Sequence, residues 1–443
     1  MLPVPPAPRM TAAPRPLLVR MRPRSVDEQH RASSPLELLV DLTFVVAIAQ
    51  IVQQLAHAIE EGHAGETILP FGMVFFAIWW AWMNFTWFAS GYDTDDVPYR
   101  LLTLAQMAGV LVLAAGVPSA FESGDFSAIT VGYAIMRMAL VSQWVRVAVS
   151  SPAHHRSALR SAVGFTLVQV GWLLRLQLPE QYAIASFVVL AALELCVPLY
   201  AARQGEPSWH PHHIAERYGL FTIILLGEGV LAAVSGMQES LAERGVSAPL
   251  VLVSLAALLI VFALWWLSYL HPSGELLEAR RGLSYRWGYA HYLVFAALAA
   301  LGAGLESAVA ATAGHLEETE LVLGAAVAVP VAGYLLLLWA VHRPLGDREP
   351  LRAAVVLPAV ALAAAAPLAA PAIGVAGTVA LIAVVCAGLV AAVLVRERTG
   401  GVRASAAADV PPRLRIRSTA RAPMRRGTGA AWPRYPRRSG ARA

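Results

Sequence analysis

Several ionisable side chains sit where the sequence offers them no water. Glu37 and Asp41 lie four residues apart in one apolar run. Arg137 and Glu194 stand deep in two others. His213, Glu216, Arg217 and Glu228 share a fourth, and His291 and Glu306 a fifth. A charge facing lipid at mid-bilayer costs several kcal/mol, so such groups turn toward the protein interior and find partners there. Buried carboxylates and imidazoles in that setting either carry protons and ions or pin helices together.

Spacing assigns partners. Arg137 lies about ten residues into its run and Glu194 about twelve into its own, at similar depth when both enter from the same side. They form a natural ion pair, serving as a static bridge or as a coupling pair. Glu37 and Asp41 share one face of a helix at i and i+4, with Gln50, Gln53, Gln54 and His57 roughly opposite. At about 100° per residue, His213, Arg217 and Glu228 fall within about 60° of one another. Gly227 and Gly229 flank Glu228 and allow close backbone approach beside a carboxylate. Its two readings are a titrating site and a hydrogen-bonded acid that joins two helices. His291 either titrates near neutral pH or serves as a simple donor. Asp93, Asp95 and Asp96 crowd one turn, where they can attract cations, cap a helix or pair with arginines.

The elements that must position these groups are membrane helices. The chain has 443 residues, 57% hydrophobic and 14% charged, well below the roughly one quarter charged of soluble domains. A span takes about 20 apolar residues. Candidates are 36–58, 68–90, 99–120, 127–149, 158–177, 182–203, 213–235, 248–270, 287–311, 320–341, 352–370 and 373–395. Pro358, Pro367 and Pro371 interrupt the last two. Loop charge supports the count: alternate loops are arginine-rich (Arg156 and Arg160; Arg280, Arg281 and Arg286) and glutamate-rich (Glu60, Glu61 and Glu66; Glu317, Glu318 and Glu320). The positive-inside rule then places both termini in the cytoplasm. The expected fold is all-α and polytopic, with about twelve transmembrane helices.

The two halves look alike. Glu37 and Thr43 recur as Glu216 and Thr222 at the same spacing, and Trp79-Trp80 recurs as Trp265-Trp266. Residues 36–203 and 204–395 therefore read as two parallel six-helix repeats. Residues 1–35, rich in Arg and Pro, and 396–443 read as disordered tails. The second tail carries 13 arginines against Glu397 and Asp409, a net +11, which leaves −6 on the rest. It suits contact with anionic lipid. Nucleic acid is not an expected partner. Trp79, Trp80, Trp82, Trp87 and Phe88 read as packing and interface anchors, and Cys196 and Cys386 as buried apolar thiols. No catalytic spacing, nucleotide fingerprint or metal-ligand set appears, so neither an enzyme nor a cofactor is expected.

Three stretches resemble the bacterial low temperature requirement protein A family. Pro35-Leu36-Glu37-Leu38-Leu39-Val40-Asp41-Leu42-Thr43-Phe44 is similar to its opening run, with Leu39 and Val40 in place of the usual aromatics. Tyr92-Asp93-Thr94-Asp95-Asp96 with Arg100-Leu101-Leu102 is the second. The third runs from His213 to Glu228 and includes Glu216-Arg217-Tyr218-Gly219-Leu220-Phe221-Thr222. Tyr289-Ala290-His291 and Gly304-Leu305-Glu306 add support. The resemblance implies a multi-pass protein of the bacterial plasma membrane, named for a cold-growth phenotype and without an established molecular activity. The residues themselves favour a secondary transporter, proton-coupled through Asp41, Glu228 and Glu306, for an unidentified small solute or ion. An ion channel and a non-transporting membrane factor supporting growth in the cold are the alternatives.

Overall fold

The computed structural model describes residues 17–25, 28, 31–203, 208–270, 272–314, 318–345 and 351–408. The described chain is helical, with no strand among these residues. Lipid offers no partner to a bare N–H or C=O, so helices that satisfy their own backbone are the viable choice for an apolar chain. Twelve long elements follow in order: α1 Pro35–Glu60, α2 Ala64–Tyr92, α3 Val97–Ala115, α4 Ser127–Ser150, α5 His155–Arg175, α6 Ala183–Ala202, α7 Pro211–Arg244, α8 Ala248–Ser268, α9 Ser284–Ala310, α10 Glu320–His342, α11 Ala353–Ala365 and α12 Ala370–Ala408.

Eleven segments of the described chain are long and apolar enough to cross a membrane, the last running continuously from Ala353 to Arg396. That last segment has 44 residues; as one straight helix it would reach about 66 Å, twice the hydrocarbon thickness. It is not straight. Residues Ala366–Ala369 tighten to a 3-10 turn, and Gly374 breaks the helix at φ 71° and ψ 172°, a conformation that a side chain would strain. The break lies beside the first turns of α10: a Cβ on Gly324 would stand 3.0 Å from Thr378 Cγ2 and 3.5 Å from Pro367 Cβ. The chain thus rises along α10 as α11 and turns back as α12, as the paired candidates at 352–370 and 373–395 anticipate.

In both halves the first helix packs on the second and third, the third on the fourth and the fourth on the fifth. The halves form one compact unit, Met1–Val395, and residues 396–443 form another. Tryptophan does not follow the repeat. Trp79 and Trp80 are buried, whereas Trp265 and Trp266 are exposed on the surface of α8. Cys196 is likewise exposed on α6, while Cys386 is buried. Exposed leucines and valines along α5 to α8 are the surface expected of helices against lipid.

The N-terminal segment departs from expectation where it is described. Met21 is fully buried, and Arg31 donates to the carbonyls of Ala89 (2.8 Å) and Ser90 (2.5 Å) at the end of α2. Arg24 N donates to Gly91 O at 2.9 Å. The orphan carbonyls of a helix C-terminus take cationic donors readily, and that need fastens residues that an Arg/Pro-rich composition had suggested were a loose tail. Residues 1–16 and 409–443 lie outside the described part of the chain.

Without a hydrophobic drive between helices in lipid, close van der Waals contact does the holding, and small residues permit it. A Cβ on Gly132 of α4 would meet Gly109 O and Leu113 N of α3 at 2.5 Å. A Cβ on Gly236 of α7 would meet Glu306 O of α9 at 2.6 Å. Gly333 of α10, by contrast, has open space around it. Gly132→Leu is therefore expected to lower stability by about 2–3 kcal/mol or more through overpacking, while Gly333→Ala is neutral or stabilising by up to about 1 kcal/mol. Thermal unfolding of the two purified variants in one detergent checks this; equal melting temperatures would refute the contact.

Candidate functional site

The sequence-singled charges gather into two buried clusters and one surface layer. The first cluster joins the opening helices of the two halves. α1 and α7 both start with proline at the first helical position. Their N-terminal turns lie together on the arginine-rich face. Ser34 caps α1 and accepts from Glu37 N, and Glu37 Oε1 accepts from Ser34 N, both at 3.3 Å. This capping box leaves Glu37 Oε2 facing α7, where His213 Nε2 stands 2.8 Å away. One turn deeper, Arg217 Nη2 donates to Asp41 Oδ1 at 2.6 Å. The i, i+4 pair of acids on α1 meets an i, i+4 pair of bases on α7 in two rungs. Trp82 of α2 closes the inner rung, its indole N–H reaching Asp41 Oδ1 at 2.9 Å. All four charged side chains of the quartet are buried, with His213 and Arg217 at 0% exposure.

The quartet is not electrically balanced by fixed charge. Two carboxylates face one guanidinium, so neutrality requires one more proton, on His213 or on an acid. The layer between it and the arginine-rich face balances itself: Arg24 pairs with Glu28 and with Asp93 at 3.6 Å, and Arg31 sits on the α2 carbonyls.

The second cluster surrounds Glu194, the buried anchor of α6, a helix otherwise almost wholly at the surface. Its carboxylate accepts from Trp80 Nε1 at 2.8 Å, Arg137 Nη2 at 2.9 Å, Trp172 Nε1 at 3.2 Å and Tyr133 OH at 3.5 Å. The Arg137 guanidinium lies 4.3 Å from the Phe165 ring centre, a cation–π contact. Here one cation meets one anion, and the carboxylate has four donors. The arrangement is that of a structural bridge.

The remaining residues fall elsewhere. Glu216 is exposed and accepts from Ser33 N at 3.2 Å, outside the quartet. Glu228 is buried on α7, beside the close contact of Gly229 with Gly302; Glu306 is partly buried on α9. His291 is buried against Trp287 and His342. The three aspartates are each engaged. Asp96 caps α3 by accepting from Tyr99 N at 2.9 Å and binds Arg146 Nη2 at 2.6 Å. Asp95 takes Arg100 through two bonds of 2.7 Å. Asp93 accepts from Asp95 N at 3.2 Å.

Reading Trp80 and Trp82 as packing anchors overlooked their N–H groups. A buried indole needs an acceptor, and that requirement, set beside carboxylates in neighbouring spans, was the available signal. Arg31, Tyr133, Trp172 and His342 were missed because nothing local marks them.

The fold and these clusters define a polytopic α-helical membrane protein in which α1 and α7 meet at a buried charge cluster. The model of the bacterial low temperature requirement A protein (LtrA) family matches residues 32–393, and the chain belongs to that family. It is 30% identical over 258 residues to an uncharacterized protein of Rhizobium meliloti (strain 1021), a match covering 56% of this chain and 60% of that protein's length. No solved structure matches the chain.

Two outcomes test this electrostatic picture. Glu194→Gln is expected to cost about 3–5 kcal/mol by leaving Arg137 buried without its anion, and Arg137→Met in the same chain should recover part of the loss; a melting curve that shows the double variant no better than the single one speaks against a bridge. At the arginine-rich face, burial pushes Asp93 up to about 6 from 3.8. Between those values the folded state binds more protons than the unfolded chain, so Asp93 makes stability fall as pH rises from about 4 to about 6. Asp96 acts oppositely: burial opposes its ionisation, but Val19 N–H, Tyr99 N–H and Arg146 hold it below the usual range. Asp93→Asn should therefore match the parent near pH 4 and exceed it in melting temperature at pH 7. Equal gains at both values would show that the carboxylate's charge is irrelevant.

Proposed function

We propose that this protein is a proton-coupled secondary transporter of a small solute or ion. It lies in the bacterial plasma membrane with both termini on the cytoplasmic side, and it performs no covalent chemistry on its solute. The observation that carries the reading is the Glu37–His213, Asp41–Arg217 ladder. It is one proton short of neutrality, it is sealed from water, and it joins the helix that opens one half to the helix that opens the other. Adding or removing that proton changes the electrostatic attraction across the α1–α7 contact. In a medium of low effective dielectric such a change is worth several kcal/mol, enough to shift a two-state equilibrium between halves by orders of magnitude. A cluster built for stability alone would resemble the Arg137–Glu194 site, where charge is matched and every lone pair has a donor.

The arginine-rich loops support the orientation through the positive-inside rule. The matching helix order in the two halves supports the repeat on which alternating access depends. Contact of the basic C-terminal segment with anionic lipid belongs to the same reading; residues 409–443, most of that segment, fall outside the described residues.

The test is uptake by proteoliposomes under an imposed pH gradient, across a panel of small cations, anions and zwitterions. The parent should accumulate at least one solute when the gradient is present. Asp41→Asn and His213→Gln should each reduce gradient-driven uptake at least tenfold, while Arg137→Met/Glu194→Gln, if folded, should retain it. Gradient-driven uptake that survives both quartet substitutions would overturn the proposal.

A further inference from the structure

We infer that the cavity between α7, α8, α9 and α10 binds a small organic ammonium ion. The inference deepens the transport reading by naming the class of solute, and it rests on that reading only for what the bound ion is for.

The cavity has a volume of about 290 Å³ and lies within the second half of the bundle. Its chemistry follows from where the protons of its lining already go. His291 Nδ1 is 2.7 Å from Trp287 O, and His342 Nδ1 is 2.9 Å from Leu338 O. A carbonyl only accepts, so in both neutral rings the proton is on Nδ1 and Nε2 carries a lone pair. Ser273 O–H donates to His342 Nε2 at 3.2 Å, which occupies that nitrogen and leaves the lone pairs of the serine oxygen. Ser268 donates to Leu264 O at 2.7 Å. The Tyr334 hydroxyl, bonded to Ser268, is then the donor of that pair, and its oxygen keeps its lone pairs. Tyr269 donates to Gly219 O at 2.7 Å. His291, Ser273, Tyr334 and Tyr269 thus have their hydrogens committed to the protein and an acceptor left over. The exception is the Trp287 indole N–H, which has no acceptor.

A cavity of lone pairs complements a donor, and two further features select a cation among donors. Glu216 is the sole charged side chain of the lining, and no arginine reaches it. The rings of Tyr218, Trp287 and Tyr334 form its walls, and aromatic faces attract ammonium ions, most strongly where water is excluded. An anion would meet lone pairs, π faces and a carboxylate, all unfavourable.

The cavity also touches the quartet. Tyr218, which lines it, is the residue after Arg217. The Trp82 ring, whose N–H holds Asp41, packs 5.1 Å from the Tyr218 ring. This contact links the Asp41 site to the cavity wall.

The experiment measures binding to the purified full-length protein in lipid nanodiscs, by calorimetry at pH 7.5. The probes are 2-phenylethylammonium and its uncharged counterpart 2-phenylethanol. The ammonium ion is expected to bind at least tenfold more tightly than the alcohol. His291→Leu should weaken it about 10–100-fold, the scale of one lost hydrogen bond to a charged group. Tyr334→Phe, which keeps the ring and removes one oxygen, should weaken it about 3–10-fold and guards against misfolding of the histidine variant. Equal affinity for the two probes, or ammonium binding unaffected by both Tyr334→Phe and His291→Leu, overturns the inference. Selective ammonium binding without gradient-driven uptake in proteoliposomes leaves the cavity assignment standing and removes the transport reading. Gradient-driven uptake of a solute that 2-phenylethylammonium does not inhibit overturns the cavity assignment and keeps transport.

Discussion

A carboxylate inside the bundle has no water to solvate it, so the protein must supply every donor. That constraint organises the structure. Glu194 collects two indoles, a phenol and a guanidinium from three helices. In doing so it ties α6, otherwise a lipid-exposed helix, to α2, α4 and α5. Asp41 collects an indole and a guanidinium from two. The tryptophans of α2 serve both acids from roughly opposite faces of one helix, which places α2 between the two clusters.

The clusters differ in one respect that decides their roles. Around Glu194 the fixed charges cancel, and a matched buried pair broken on one side costs several kcal/mol without offering a second state. Around Glu37 and Asp41 they do not cancel until a proton is added. The same desolvation that makes a buried pair rigid makes an unmatched one responsive, because the energy of the site then depends on an exchangeable particle. The unbalanced cluster lies at the seam between α1 and α7, and it contacts a cavity wall through Trp82 and Tyr218.

The two halves share an order of helix contacts and differ in chemistry. Glu37 has its counterpart in Glu216, yet the first is buried in the ladder and the second is exposed. Trp79 and Trp80 are interior, and Trp265 and Trp266 face outward. Where α1 supplies two acids, α7 supplies two bases. Helices of identical charge would repel at this seam, and these complementary ones attract.

Hydropathy determined the order and approximate ends of most of the helices, because hydrocarbon burial and backbone satisfaction depend on local composition; the last two candidates form one bent segment. The 3.6-residue period also placed Glu37 with Asp41 and His213 with Arg217 on common faces. Depth paired Arg137 with Glu194 before any contact was known. Which face of α1 would meet which face of α7 was beyond local pattern, since membrane helices rotate about their axes at little cost until their neighbours are set. So Trp80 and Trp82 as donors, the fastening of the N-terminal segment by Arg31, and the cavity that brings His291 of α9 to His342 at the far end of α10 were decided only by packing. Long-range contact, which composition does not encode residue by residue, turned a list of buried charges into one balanced bridge and one unbalanced ladder.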